Sequence, residues 1–290
     1  MRSYRLLHLD VFTDRALEGN QLAVFPDARD LEPALMQRIA REMNLSETVF
    51  FFKPTLAGCD ARLRIFTPMN EIPFAGHPTI GATWAAHHEG IVTKNDFVFQ
   101  EEVGPVPVSI LSTDPFMAYL TTPPIAFKKE YDRAGTAAAL GLDERDLLET
   151  PVQCVSAGSD FVYVAVRDRA TVDRAWLDYP RMQTVCGNEA AGGVFVFAPS
   201  DGGAYSRMFA PEHGIVEDPA TGSATGPLAA YMQRYELLPA GTTTFVSEQG
   251  VKMGRRSVLH VRIVEANGEP VFQVGGSVVP LIEGTFTLPD

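Results

Sequence analysis

One strand–loop–helix pattern occurs twice in this chain, and it limits the possible folds more than any other feature. Arg64-Ile-Phe-Thr-Pro68 resembles Arg207-Met-Phe-Ala-Pro211, 143 residues later. His77-Pro-Thr-Ile-Gly81-Ala then resembles Asp218-Pro-Ala-Thr-Gly222-Ser, 141 residues later. The shared order is strand, loop, His or Asp, Pro-x-x-Gly-small, helix, with loops that differ by two residues. Two matched blocks, each offset by about half of the 290 residues, predict a chain built of two related halves. The reversal near 121–130, TTPPIAFKKE, is the candidate junction.

The repeat has a chemical consequence. Proline suits the first turn of a helix, where its missing N–H is not needed. The first N–H groups of a helix have no internal acceptor and carry partial positive charge, so they bind anions. Small residues after each proline let a ligand approach the backbone. Gly76 and Thr79 in the first half, and Gly222, Ser223 and Ala224 in the second, are therefore expected to bind substrate. Two such helix starts are expected to face one cleft, where a carboxylate or enolate is stabilised from both sides. Asp218 is equally a good N-cap, so one motif alone would be simple capping.

Composition excludes several function classes. A net charge of -12 with no basic stretch argues against nucleic acid. No apolar run approaches the ~20 residues of a membrane span. The N-terminal MRSYRLLHLDVFTD lacks a signal-peptide core, so a cytoplasmic location is expected. Cys59, Cys154 and Cys186 form no CxxC and indicate neither a disulfide framework nor zinc. His87-His88 with Glu89 makes a poor chelate, because adjacent helical residues point to different sides. No GxGxxG follows a strand and no phosphate-binding loop is present. Periodicity predicts strands at 5–12, 22–25, 62–68, 153–166, 191–199 and 244–248, and helices at 31–43, 79–88, 136–149 and 169–182.

The segments GNQLAVF (19–25), NLSETVFF (44–51), RIFTPMNEIPFAGHPTIGA (64–82), EDPATGSA (217–224) and QGVKMGR (249–255) resemble the PhzF family of phenazine-biosynthesis-type isomerases. The resemblance implies an α+β, diaminopimelate epimerase-like fold. Each pseudo-symmetric half would be a barrel-like, mostly antiparallel sheet around a central helix. Residues 1–120 with 278–290 would form the N-terminal half and 121–277 the C-terminal half. It implies a proton-moving isomerase without metal or organic cofactor, acting as a homodimer on a small anionic substrate. The family's acid/base glutamate falls on Glu47, its histidine on His77, its aspartate on Asp218 and its small polar donor on Ser223.

Physical chemistry agrees with those positions. Glu47 precedes Val49-Phe50-Phe51-Phe52, and apolar surroundings favour a carboxyl that keeps its proton longer and works as a base near neutral pH. His77 is a proton carrier or a donor to substrate, and Asp218 orients a substrate group or shuttles a proton. Racemases of this fold use a cysteine at each helix start. His77 and Asp218 occupy those places here, and Cys186-Gly-Asn188 has no first-half counterpart. Phe12, Met69 and Phe209 are candidate wall residues. Two other readings stay open: an amino-acid epimerase or racemase on the same fold, and a ligand-binding protein without chemistry. A hydrolase lacks the GxSxG context.

Overall fold

The computed structural model describes residues 1–187, 192–266 and 268–289. Asn188, Ala191, which opens the expected strand 191–199, and Asp290 lie outside the described residues. The chain divides into two units, Met1–Thr121 with Val274–Asp290, and Thr122–Gln273.

The first unit contains β1 (Arg2–Val11), β2 (Asn20–Phe25), α1 (Pro33–Met43), β3 (Glu47–Phe52), β4 (Ala61–Phe66), β5 (Glu71–Ile72), α2 (Gly76–His88), β6 (Asp96–Glu101), β7 (Gly104–Thr113), β8 (Phe116–Thr121) and β18 (Val278–Leu288). β1 pairs antiparallel with β18 and β2, β3 and β5 pair antiparallel with β4, and β6–β7–β8 form a meander. Two pairings are parallel, β2–β3 and β4–β6. Each parallel step needs a crossover, and α1 and α2 supply them. β2 and β3 are buried on both faces, so they read as near-continuous apolar runs. On one face Phe25, Phe50 and Phe66 pack with Met36 and Ile39 of α1. On the other lies α2, buried along most of its length and apolar all round, as a central helix must be.

The second unit repeats this plan. It contains β9 (Ala126–Tyr131), α3 (Arg133–Ala139), β10 (Val152–Ser156), β11 (Asp160–Ala165), α4 (Arg169–Arg174), α5 (Tyr179–Cys186), β12 (Val194–Ser200), β13 (Gly203–Ala210), β14 (Ile215–Asp218), α6 (Gly222–Arg234), β15 (Thr244–Gln249), β16 (Ser257–Ala266) and most of β17 (Glu269–Gly276). Again two pairings are parallel, β11–β12 and β13–β15. Phe161, Tyr163, Phe195 and Phe197 pack around α6, while Val162, Val164 and Val196 face the cluster that holds Cys154, Met182 and Cys186. α6 is the counterpart of α2. Both halves thus have the mixed, mostly antiparallel sheet and buried central helix expected of a diaminopimelate epimerase-like fold.

The repeat is present, but its second block has a different register from the expected one. α2 begins at Gly76 and α6 at Gly222. Glu71 and Glu217, Pro73 and Pro219, Gly76 and Gly222, and Thr79 and Thr225 therefore correspond, all 146 residues apart. Each glutamate grips the arginine of the preceding strand through two bonds: Arg64–Glu71 at 2.7 and 2.6 Å, Arg207–Glu217 at 2.8 and 2.7 Å. Thr79 and Thr225 hydroxyls bond back to the carbonyls of Ala75 and Thr221 at 2.7 and 2.9 Å. His77 consequently corresponds to Ser223, and Asp218 to Ile72. The expected match paired Pro78, which lies inside the first turn of α2, with Pro219, which precedes α6. The second loop is three residues longer than the first, where the expected match made it two residues shorter, and Pro211–His213 forms a 3-10 turn within it.

Two expected helices are broken. Residues 136–149 give α3 and a separate 3-10 turn, Glu144–Asp146, because the chain turns at Gly141 with φ +64°. Residues 169–182 divide into α4 and α5, each capped by its own aspartate, Asp168 and Asp178. Among the described residues no helix is long and apolar enough to cross a membrane.

Candidate active site

In the first unit, the end of α1 sets the position of Glu47. Asn44 adopts the left-handed conformation and closes the helix with a bond to the Ala40 carbonyl. Three residues later β3 starts at Glu47, in parallel register with Leu22. Alternation then decides its direction: Phe50 faces α1, so Glu47, Val49 and Phe51 face the opposite side, where α2 lies. His77, the second residue of α2, meets it there. Glu47 Oε2 and His77 Nε2 are 3.3 Å apart, with side chains 11% and 3% exposed. Asn20 at the start of β2 places its Nδ2 3.1 Å from His77 Nδ1. An amide nitrogen only donates, so Nδ1 accepts and the proton of the neutral ring sits on Nε2, facing Glu47. Burial pushes the His77 pKa down to about 3, against a backbone contact with Gln21 that favours charge. At neutral pH the ring is therefore uncharged and in 3.3 Å contact with a carboxyl, neither half of an ion pair nor in a completed hydrogen bond with it.

Ala75 is the N-cap of α2 and makes no side-chain cap bond. The Thr79 N–H bonds the Ala75 carbonyl at 3.3 Å, and its hydroxyl lies 2.6 Å from Glu101 Oε1. Thr79 is thus occupied within the protein, and the helix-start donors are the amides of Gly76 and His77.

The second unit builds its group around Thr221, the N-cap of α6. Asp218 is not the cap; it ends β14 and accepts a 2.6 Å bond from the Thr221 hydroxyl. Gln249 locks the arrangement. Its Nε2 donates to the Asp218 carbonyl at 2.7 Å and to Thr221 Oγ1 at 2.9 Å, and its Oε1 accepts from the Thr221 N–H at 3.1 Å. The next residue must be glycine: Gly250 has φ +76°, and a Cβ there would lie 2.6 Å from the Pro219 carbonyl. The Ala224 N–H is taken by the Thr221 carbonyl and its own carbonyl by the Tyr163 hydroxyl, leaving Gly222 and Ser223 as first-turn donors.

The structure therefore groups Glu47, His77 and Gly76 in the first unit, and Asp218, Gly222 and Ser223 in the second. Thr79 and Ala224 hold the turns rather than offer donors. Phe12 and Phe209 are core residues, fully buried and 4% exposed, whereas Met69 is 57% exposed. Asn20, Glu101 and Gln249 were not anticipated. Among the described residues no group of three His, Cys, Asp or Glu is placed to hold a metal ion.

The comparisons with known proteins agree with this architecture. A family model described as phenazine biosynthesis-like protein (PhzC-PhzF) matches residues 9–284. The trans-2,3-dihydro-3-hydroxyanthranilate isomerase of Pseudomonas aeruginosa is 38% identical, covering 97% of this chain and 98% of its own. An uncharacterized isomerase of Clostridium acetobutylicum is 32% identical over 99% of both chains. The structure of a predicted epimerase from P. aeruginosa superposes with TM-score 0.84 at 32% identity, covering 99% of this chain and all of that one. A hydroxyproline epimerase from Agrobacterium vitis, at 12% identity and TM-score 0.68 over 100% and 94% of the two chains, shares the fold. The chain belongs to the phenazine biosynthesis-like PhzF family and is an isomerase.

Proposed function

We propose that this isomerase moves a proton on a small carboxylated substrate without a metal or organic cofactor, with Glu47 as the base. The substrate class follows the relative that acts on trans-2,3-dihydro-3-hydroxyanthranilate. The observation that carries the reading is the buried Glu47–His77 pair at 3.3 Å. Glu47 takes a proton from carbon and delivers it to a second carbon of the same molecule. The neutral His77 ring keeps its Nε2 proton toward Glu47 and steadies the carboxylate before it reacts. The Gly76 and His77 amides, with the partial positive charge of the α2 start, favour the negative charge that develops. In the second unit Asp218, Gly222 and Ser223 supply polar groups of the same kind for substrate.

The test is Glu47→Gln, which keeps the shape and removes the base. With trans-2,3-dihydro-3-hydroxyanthranilate in deuterated water, turnover and deuterium incorporation read by mass spectrometry should fall by about 10²–10⁴, the usual contribution of a general base. Binding of the substrate should persist. Deuterium incorporation at the wild-type rate would refute the assignment.

A further inference from the structure

Glu101 is a buried carboxyl that the proposed chemistry does not use. It is 4% exposed and ends β6, the strand parallel to β4. Gln249 ends β15, the strand parallel to β13, and is the corresponding residue of the second unit. Phe97-Val98 and Phe245-Val246 precede them at the same spacing. Each side chain reaches the N-cap residue of a central helix, Ala75 for Glu101 and Thr221 for Gln249.

Hydrogen counting shows what Glu101 must be. Thr79 has one hydroxyl proton, yet Oγ1 lies 2.7 Å from the Ala75 carbonyl and 2.6 Å from Glu101 Oε1. The matching Thr225 spends its proton on the Thr221 carbonyl. If Thr79 does the same, the proton between Thr79 and Glu101 must come from Glu101. A neutral carboxylic acid has one oxygen that donates and one that accepts, much as the Gln249 amide pairs a donor nitrogen with an acceptor oxygen, whereas a carboxylate only accepts. Ionisation would also leave a charge on Oε2, which is buried and has no hydrogen-bond partner among the described residues.

We propose that Glu101 acts as a neutral acid, the counterpart of Gln249, and is a positioning residue that holds the first turn of α2 and with it His77. This rests on the reading of Glu47 and His77 as the proton-moving pair. Burial raises the Glu101 pKa to about 8, against the Thr79 hydroxyl and the Ala75 amide. Other titratable and charged groups on the adjoining elements are His77 on α2, Arg62 and Arg64 on β4, Glu71 on β5 and Glu102 next in the chain. His77 is engaged by Asn20 and Glu47, and Arg64 is held by Glu71. Burial and the Thr79 and Ala75 contacts, rather than these charges, set the acidity of Glu101.

The experiment pairs a titration with a rate profile. In the wild-type protein, carboxyl 13C and backbone amide NMR from pH 5 to 10 should show Glu101 titrating near 8, with the Ala75 and Gly76 amides moving at the same midpoint. The kcat/KM for trans-2,3-dihydro-3-hydroxyanthranilate should fall about tenfold per pH unit above that midpoint. Glu101→Gln should stay within about threefold of wild type at pH 7 and lose the alkaline fall, since its amide repeats the neutral acid. Glu101 titrating below pH 6, amides that ignore it, or the same alkaline fall in both proteins would overturn the proposal. Failure of the underlying catalytic reading would appear separately, as turnover that survives Glu47→Gln.

Discussion

Gln249→Leu isolates the polar contribution of the lock on the second helix start. Leucine has nearly the volume of glutamine, so the fully buried site gains little cavity. What is lost is three hydrogen bonds. The Thr221 hydroxyl keeps its bond to Asp218 Oδ2, so its loss is minor. The Thr221 N–H and the Asp218 carbonyl lose the partner that Gln249 gave them, and each such group costs about 1–3 kcal/mol when buried. The sum is roughly 2–6 kcal/mol, a large part of the ~5–15 kcal/mol that holds a typical domain together. Urea denaturation followed by far-UV circular dichroism should show the midpoint shift. A companion variant, Gln249→Glu, should approach wild type at acid pH, where a neutral acid can replace the amide, and weaken as pH rises. A leucine variant within about 0.5 kcal/mol of wild type, the range of an ordinary surface change, would refute the reasoning.

Two further outcomes follow from the geometry. His77, with a folded pKa of about 3 against a usual 6.5, stays neutral while the unfolded chain takes up a proton. Stability should therefore be unaffected by this group above pH 6.5 and fall between 6.5 and 3 at up to about 1.4 kcal/mol per unit; imidazole 15N NMR at pH 5 should find Nε2 protonated and Nδ1 bare, and a doubly protonated ring would contradict this. Gly141→Ala puts a side chain at φ +64° and a Cβ 1.9 Å from Trp176 Nε1. The backbone alone costs about 1–2 kcal/mol, and Trp176 must move, so its fluorescence should shift; Trp176→Ala should relieve only the steric part, and an unchanged midpoint and emission would count against the contact.

Much of the site was legible because it sits at element ends, where local rules are strongest. A helix stop at Asn44 followed by an apolar run puts Glu47 at a strand start, and the prolines and glycines mark the helix mouths. The register of the repeat was not legible from Pro-x-x-Gly alone, since proline is as acceptable before a helix as within its first turn. The pairing of Glu71 with Arg64, and Glu217 with Arg207, resolves it, and both ion pairs link residues on adjoining strands. Glu101 and Gln249 escaped for a similar reason. Phe-Val-x-x-Glu and Phe-Val-x-x-Gln recur 148 residues apart, but acid and amide look unrelated until the acid is neutral. The broken helices failed because the apolar spacing runs through Gly141 and the Ala175–Asp178 corner without a gap, and only the Trp176 contact and the Asp178 cap show the turns. The junction expected at 121–130 does hold the division between the units at Thr121 and Thr122, but it also holds the start of β9, whose alternation Lys128, Lys129 and Glu130 mask.

The corrected register also bears on which chemistry the duplicated fold supports. Val162 and Val194 lie on the face that packs with Cys154, Met182 and Cys186, so the α6-facing position that matches Glu47 is Gly193, 146 residues later and just ahead of β12. Where the first unit has a carboxyl group, the second has no side chain. Where the first has His77, the second has Ser223. A racemase with one base at each helix start needs proton-carrying groups at corresponding places in both halves, and here only the first half has them. Asp218 does not restore the symmetry, because it corresponds to Ile72 and is bound by the Thr221 hydroxyl. The first half thus carries the Glu47–His77 pair, and among the described residues the second has no such pair at the matching positions. That asymmetry fits the proposed single-base isomerisation better than two bases exchanging a proton across one carbon.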